Sequence, residues 1–171
     1  MSAQVRSAVI VVTGVAGSGK TTVGRLLAER LQCSFLDGDD LHPAANVEKM
    51  AAGEPLTDAD RAPWLDAIAA WIDRTLADGR SGVVACSALR QAYRDRLRAK
   101  GVRFVRLDLP ASVAADRVRA RPDHFMPAAL VESQVDALEP AGPGERILCV
   151  AVEHQQPSAV VDEVLRGLQP A

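Results

Sequence analysis

Gly14-Val15-Ala16-Gly17-Ser18-Gly19-Lys20-Thr21 follows the spacing G-x-x-x-x-G-K-[ST], the pattern of a loop that cradles phosphate groups. Its flanks supply the context that the pattern needs. Upstream, Ala8-Val9-Ile10-Val11-Val12 is an unbroken apolar run, and it predicts a buried parallel strand over 8–13. Downstream, Thr22 to Leu31 predicts a helix, with Val23, Leu26, Leu27 and Leu31 as one apolar stripe. Glycines let the backbone bend until its N–H groups point inward at phosphate oxygens. The helix N-terminus, where Thr22 stands, adds partial positive charge. In such a loop Lys20 reaches the β- and γ-phosphates of a nucleotide, and the Thr21 hydroxyl can ligate Mg²⁺.

The whole chain sets the bounds. Its 171 residues suit one domain with a proper core, and 48% hydrophobic with 25% charged residues is the balance of a globular protein. No apolar run approaches the ~20 residues that span a membrane. Met1 to Ser7 carries one Arg and no apolar core, so it does not read as a secretory signal, and the expected location is cytoplasmic. A net charge of -2 argues against a general nucleic-acid or membrane binder, although Arg90 to Arg106 is locally rich in arginine. Cys33, Cys86 and Cys149 lie far apart and read as reduced, small buried hydrophobes rather than zinc ligands.

Beyond the loop, apolar runs alternate with helical patterns, which predicts a parallel α/β sheet. Further strands are expected over 34–36, 82–86, 102–107 and 146–152, making five. Past the second strand lies Asp37-Gly38-Asp39-Asp40-Leu41-His42-Pro43. Carboxylates just beyond the C-terminal end of a strand stand where open α/β sheets bind ligands. Of Asp37 and Asp39, one can orient Mg²⁺ or its water shell while the other accepts a proton from a hydroxyl. The same residues also suit an acidic turn that caps the next element.

A short helix is expected over 44–52, and Thr57-Asp58-Ala59-Asp60 resembles a capping box with Asp in place of Glu. The long helix after it carries Trp64, Leu65, Ile68, Trp71, Ile72 and Leu76 at helical spacing, a core stripe. Lys49 and Arg61 flank its start and can reach an anion. The third strand runs into Cys86-Ser87-Ala88-Leu89 without an Asp, which makes Asp37 the nearby carboxylate available to a metal. Arg90, Arg94 and Arg98 share one face at i, i+4 and i+8, and the first two stand nearest the strand's C-terminal end. Helices are expected over 111–121 and 127–138, with Arg117 and Arg121 as i, i+4 partners and Gln134 off the apolar stripe. Between them, Arg121 to Pro127 reads as a connector able to act as a lid, with His124 in it. A last helix is expected over 158–168.

Taken together, these stretches resemble the small P-loop gluconate kinases. The resemblance rests on Gly14 to Thr21, Asp37 to Pro43, Asn46 to Met50, Gly53 to Leu65, Cys86 to Arg90 with Tyr93 to Asp95, His124 to Pro127, Ser133-Gln134 and Leu138 to Pro140. It implies a three-layer fold of the adenylate/shikimate kinase type with strand order 2-3-1-4-5, a lid around 117–128, and often a homodimer. It implies ATP and Mg²⁺, and phosphorylation of D-gluconate on its 6-hydroxyl. Residue by residue, it makes Lys20, Asp39, Arg117 and Arg121 catalytic, with Asp39 on the substrate side. Lys49, Arg61, Arg90, Arg94, His124 and Gln134 would contact gluconate, with His42 as a further candidate. The family usually has Gly where this chain has Asp123. Another small-molecule kinase of the same fold, or a nucleotide-binding module without catalysis, remains open on these residues alone.

Overall fold

The protein is seen here as a computed structural model that describes residues 7–121, 127 and 129–169. Five strands form one parallel sheet: β1 (Val9–Thr13), β2 (Ser34–Asp37), β3 (Gly82–Ala85), β4 (Val102–Asp108) and β5 (Ile147–Ala151). Their order is β2-β3-β1-β4-β5, as expected. The central strand, β1, is apolar up to its last residue, Thr13. β1 is buried throughout, paired with β3 from Val9↔Gly82 to Val12↔Ala85 and with β4 from Val9↔Val102 to Thr13↔Arg106. A strand buried on both faces tolerates such a run, whereas a half-exposed one needs alternation.

Period-two geometry divides β1 between two cores. Ile10 and Val12 point to the side covered by α1 (Lys20–Leu31) and α7 (Pro157–Leu168), packing with Leu27, Val160 and Val164. Val9 and Val11 point to the side covered by α3 (Asp58–Ala77) and α4 (Gln91–Leu97), packing with Trp64, Ile68, Ile72 and Leu97. A third cluster sits over the C-terminal edge of the sheet. There Val15 and Ala16 of the glycine loop meet Met50 of α2 (Ala44–Ala51), Ala114 and Val118 of α5 (Ala111–Arg119), and Leu130 and Val131 of α6 (Ala129–Ala137). The glycine loop is thereby seated on the helices that cover it.

Several expectations shift. β2 runs one residue further, so Asp37 is its last residue, in register with Ala85. α1 starts at Lys20, which puts Lys20, Thr21 and Thr22 in its first turn. The α1 stripe is Val23, Leu27 and Ala28, while Leu31 is 41% exposed. The helix ends at Gln32 in a left-handed conformation (φ 52°), whose N–H donates to the Ala28 and Glu29 carbonyls. Cys86 is buried as expected and Cys33 half-buried, but Cys149 faces solvent on the edge strand β5. The capping box is present in full, with Asp60 N–H donating to Thr57 Oγ1 and Thr57 N–H to Asp60 Oδ2. Among the described residues no helix is long and apolar enough to cross a membrane.

Candidate active site

Three glycines shape the loop between β1 and α1. Gly14, Gly17 and Gly19 have φ of 144°, 82° and 91°, which other residues rarely adopt. The first two are also crowded. A Cβ on Gly17 would lie 2.5 Å from the Ala114 carbonyl oxygen, and one on Gly14 would lie 2.7 Å from Ser18 Oγ. Ser18 Oγ itself is buried with no hydrogen-bond partner among the described residues. A buried hydroxyl left in that state is costly unless a ligand meets it. An inward-bent loop, an orphan hydroxyl and a helix N-terminus together fit a phosphate group.

Lys20 Nζ donates to the Val15 carbonyl oxygen at 3.1 Å. Burial pushes its pKa below the usual lysine value, and Asp39, Cys86 and Asp37 nearby oppose that shift. Thr21 Oγ1 donates to Asp37 Oδ2 at 2.8 Å, so hydroxyl and carboxylate stand side by side. The other oxygen of Asp37 accepts the Asp39 N–H at 3.1 Å and caps a 3-10 turn over Gly38–Leu41. Asp37 thus caps this turn and also reaches Thr21. One hydroxyl and one carboxylate make the sparse oxygen set that suits Mg²⁺, which keeps much of its water and binds phosphate oxygens besides. Asp39 is left lining the pocket beside Lys20 and Thr21.

Across the pocket stand His42, Arg61, Trp64 and Tyr93. Trp64 belongs to the predicted core stripe and is buried, yet it also lines the pocket. Its indole N–H donates to the Gly38 carbonyl at 2.7 Å, and its ring stacks on His42 at 4.2 Å. His42 is pushed down to about 4 by burial and by the Arg61 charge, so at neutral pH it is an uncharged hydrogen-bonding group. Arg61 Nη1 donates to the Leu56 carbonyl at 2.7 Å and to Tyr93 Oη at 3.2 Å. Lys49 is bound to Asp60 at 2.8 Å, and that bond holds the Asp60 carboxyl down at about 2. Arg90 lines the adjoining groove and sits just before α4 as its N-cap, 3.6 Å from Asp58. Gln134 also lines the pocket, and its Oε1 accepts the Ala16 N–H at 2.7 Å, joining α6 to the glycine loop.

Arg94, expected as a substrate contact, is not among the residues that line the pocket; its side chain is 1% exposed, on the buried side of α4 with Tyr93 and Leu97. Arg94 binds both oxygens of Glu145 at 2.9 Å and the carbonyls of Leu89, Glu139 and Pro140. Through its bonds to the Ala88 and Leu89 carbonyls it braces a pocket-lining loop in which Ala88 has φ of 36°. Arg94 is thus a positioning residue. The Arg94 bond is also the main cause that holds the 3%-exposed Glu145 carboxyl down at about 2. Arg94→Met leaves Glu145 only Arg98 and the Gly142 N–H as partners and is expected to cost about 2–3 kcal/mol of stability. Urea unfolding reads this loss directly, and a change below about 1 kcal/mol would remove the bracing role.

Of the two expected lid arginines, Arg121 lines the pocket near Lys20. Arg117 is turned against the glycine loop and donates to the Gly17, Val152 and Glu153 carbonyls. Thr22 is exposed on the first turn of α1. His124 and Asp123 lie outside the described residues. Tyr93 and Asp58 had no signal of their own in the spacing. They emerge only because α3 and α4 pack side by side.

With this geometry in place, comparison with known proteins is informative. A family profile described as an AAA domain matches residues 9–141. The chain is 46% identical over 162 residues to a gluconokinase of Gluconobacter oxydans, covering 94% of this chain and 90% of that protein. A gluconokinase crystal structure from Sinorhizobium meliloti is similar at 43% identity and a TM-score of 0.83, over 95% of this chain and 92% of that one. An unliganded sugar kinase from Janibacter gives a TM-score of 0.87 at 40% identity, over 94% and 93%.

Proposed function

The chain belongs to the gluconokinase family, and from that premise we propose how its residues carry ATP-dependent phosphorylation of D-gluconate to 6-phospho-D-gluconate. The observation that carries the reading is one run of contacts. The loop that fits phosphate adjoins Thr21, Thr21 is bonded to Asp37, and Asp37 holds the turn that presents Asp39 to the pocket.

Gly14 to Thr22 enclose the phosphates of ATP, and Lys20 holds the β- and γ-phosphates. Thr21 and Asp37 would hold Mg²⁺, which when bound offsets charge on the phosphate oxygens. The 6-hydroxyl of gluconate attacks the γ-phosphorus in line. The new O–P bond forms as the bond to the β-phosphate oxygen breaks, the hydroxyl proton passes to Asp39, and ADP leaves. Because phosphoryl transfer asks for little covalent help, the catalytic task is positioning and charge stabilisation. Lys20 and Arg121 supply positive charge for the transition state. Arg61, Arg90 and Lys49 favour an acid over a neutral sugar. Neutral His42 is suited to a sugar hydroxyl, and Gln134 ties the acceptor side to the glycine loop.

We extend the proposal to one kinase domain along the chain, with 117–128 as its lid, including His124 and a place for Arg117 near ATP. A cytoplasmic homodimer that binds neither nucleic acid nor membrane completes it. ADP release measured against a panel of sugar acids and neutral sugars tests the activity. Gluconate-specific release is the expected outcome. Nucleotide binding with silence across the panel would favour a non-catalytic module, and release with another acceptor would favour a different kinase of this fold.

A further inference from the structure

Tyr93 stands at the centre of a charged cluster where the pocket opens. Its ring lies under two guanidiniums, with Arg61 5.4 Å and Arg90 5.9 Å from the ring centre. Its hydroxyl donates to Asp58 Oδ1 in a short bond. That same oxygen is 4.0 Å from Arg61 Nη1 and 3.6 Å from Arg90 Nη1. One carboxylate oxygen therefore faces a phenol and two guanidiniums, the donor set that a carboxylate ligand would seek.

The members of the cluster are not equally fixed. Arg61 is placed by the Leu56 carbonyl and the Tyr93 hydroxyl as well as by Asp58. The Asp58 side chain is 69% exposed, at the first position of α3. An exposed carboxylate in water can leave its partners at small cost. Two cations facing one anion leave a single positive charge, which suits a monocarboxylate.

We infer that Asp58 is an internal counter-ion of the Arg61–Arg90 pair, which the carboxylate of the acceptor must outcompete. The inference rests on the gluconate kinase reading. It makes Asp58 a specificity-determining residue, one that weakens the hold on anionic acceptors and keeps the arginine pair partly neutralised between turnovers. Glu132 and Asp136 of α6 line the adjoining groove together with Arg61 and Arg90, so each provides a matched loss of one negative charge nearby.

Asp58→Asn keeps an oxygen for the Tyr93 hydroxyl and removes only the charge. At low ionic strength it is expected to lower KM for gluconate about threefold to fivefold, an effect that fades by about 0.5 M salt. The kcat and the KM for ATP should stay unchanged, and Glu132→Gln should shift KM for gluconate by less. A raised KM, or a fall in kcat, would show that Asp58 positions the arginines instead of competing with the acceptor. An unchanged KM, or an equal shift in Glu132→Gln, also overturns the inference, the latter in favour of bulk charge. If the wild-type chain releases no ADP with gluconate, the kinase reading fails separately. Calorimetric titration of gluconate without ATP then decides: tighter binding by Asp58→Asn upholds the counter-ion, and no gain overturns it.

Discussion

Lys20→Met is expected to leave a folded protein whose kcat is lower by about 10³-fold or more. The two halves of that expectation have different physical origins. Folding survives because burial already disfavours the Lys20 ammonium where it stands, as its lowered pKa records. A methionine of similar length removes a charge that its half-buried surroundings disfavour and keeps the packing volume, so the thermal midpoint should hold. Turnover falls because, on the proposed site, the ammonium beside the glycine loop stabilises the transferring phosphates, and a tenfold loss corresponds to about 1.4 kcal/mol of transition-state stabilisation. Steady-state ADP release together with thermal unfolding separates the two. A folded variant with wild-type kcat would overturn the assignment of the glycine loop as the phosphate site.

Asp39→Asn is the second large effect, with kcat expected to fall roughly 10²–10⁴-fold. Asparagine has nearly the same shape, and the backbone N–H of residue 39 still donates to Asp37, so the 3-10 turn persists. What disappears is the negative charge proposed to receive the hydroxyl proton. The KM for ATP should change little, since Thr21 and Asp37 are left untouched. Asp40 is the built-in control: it belongs to the same turn and is exposed, and Asp40→Asn should keep wild-type kcat. Equal losses at both positions would indicate that the turn needs its charge for stability, and a near-normal kcat in Asp39→Asn would sink the base.

What the sequence made legible was what local spacing encodes. The eight residues from Gly14 to Thr21 prescribe their own bend through glycine, and the apolar run before them read as a buried parallel strand. Thr57 and Asp60 are three apart, so their capping box could be read before any coordinates were known. Spacing put Arg94 on one face with Arg90 and Arg98 but could not show which partner would hold it. α4 has seven residues, Arg90 and Arg98 fall on its caps, and the partner that claims Arg94 lies 51 residues away in a turn-rich connector. The bond from Ala16 to Gln134 spans 118 residues. Spacing could mark Gln134 as polar and off the stripe, but not which loop it would meet. Trp64 shows a different limit: helical periodicity reports burial, and a residue can be buried and still form the wall of a pocket.

The strand order carries a consequence for how the chain comes into being. β1 is made first but belongs in the middle, and its two neighbours are β3 and β4. β2, made next, pairs with β3 and leaves β1 alone. Val9 to Val12 therefore have no strand to pair with until the ribosome has added about 70 more residues, roughly 4–14 s at ordinary elongation rates. Through that interval the most apolar segment of the protein is an open edge, the kind of surface on which nascent chains aggregate. The glycine loop has no rigid floor until Gly82 to Ala85 arrive, so ability to hold a nucleotide is acquired only about 60 residues after the loop itself is made.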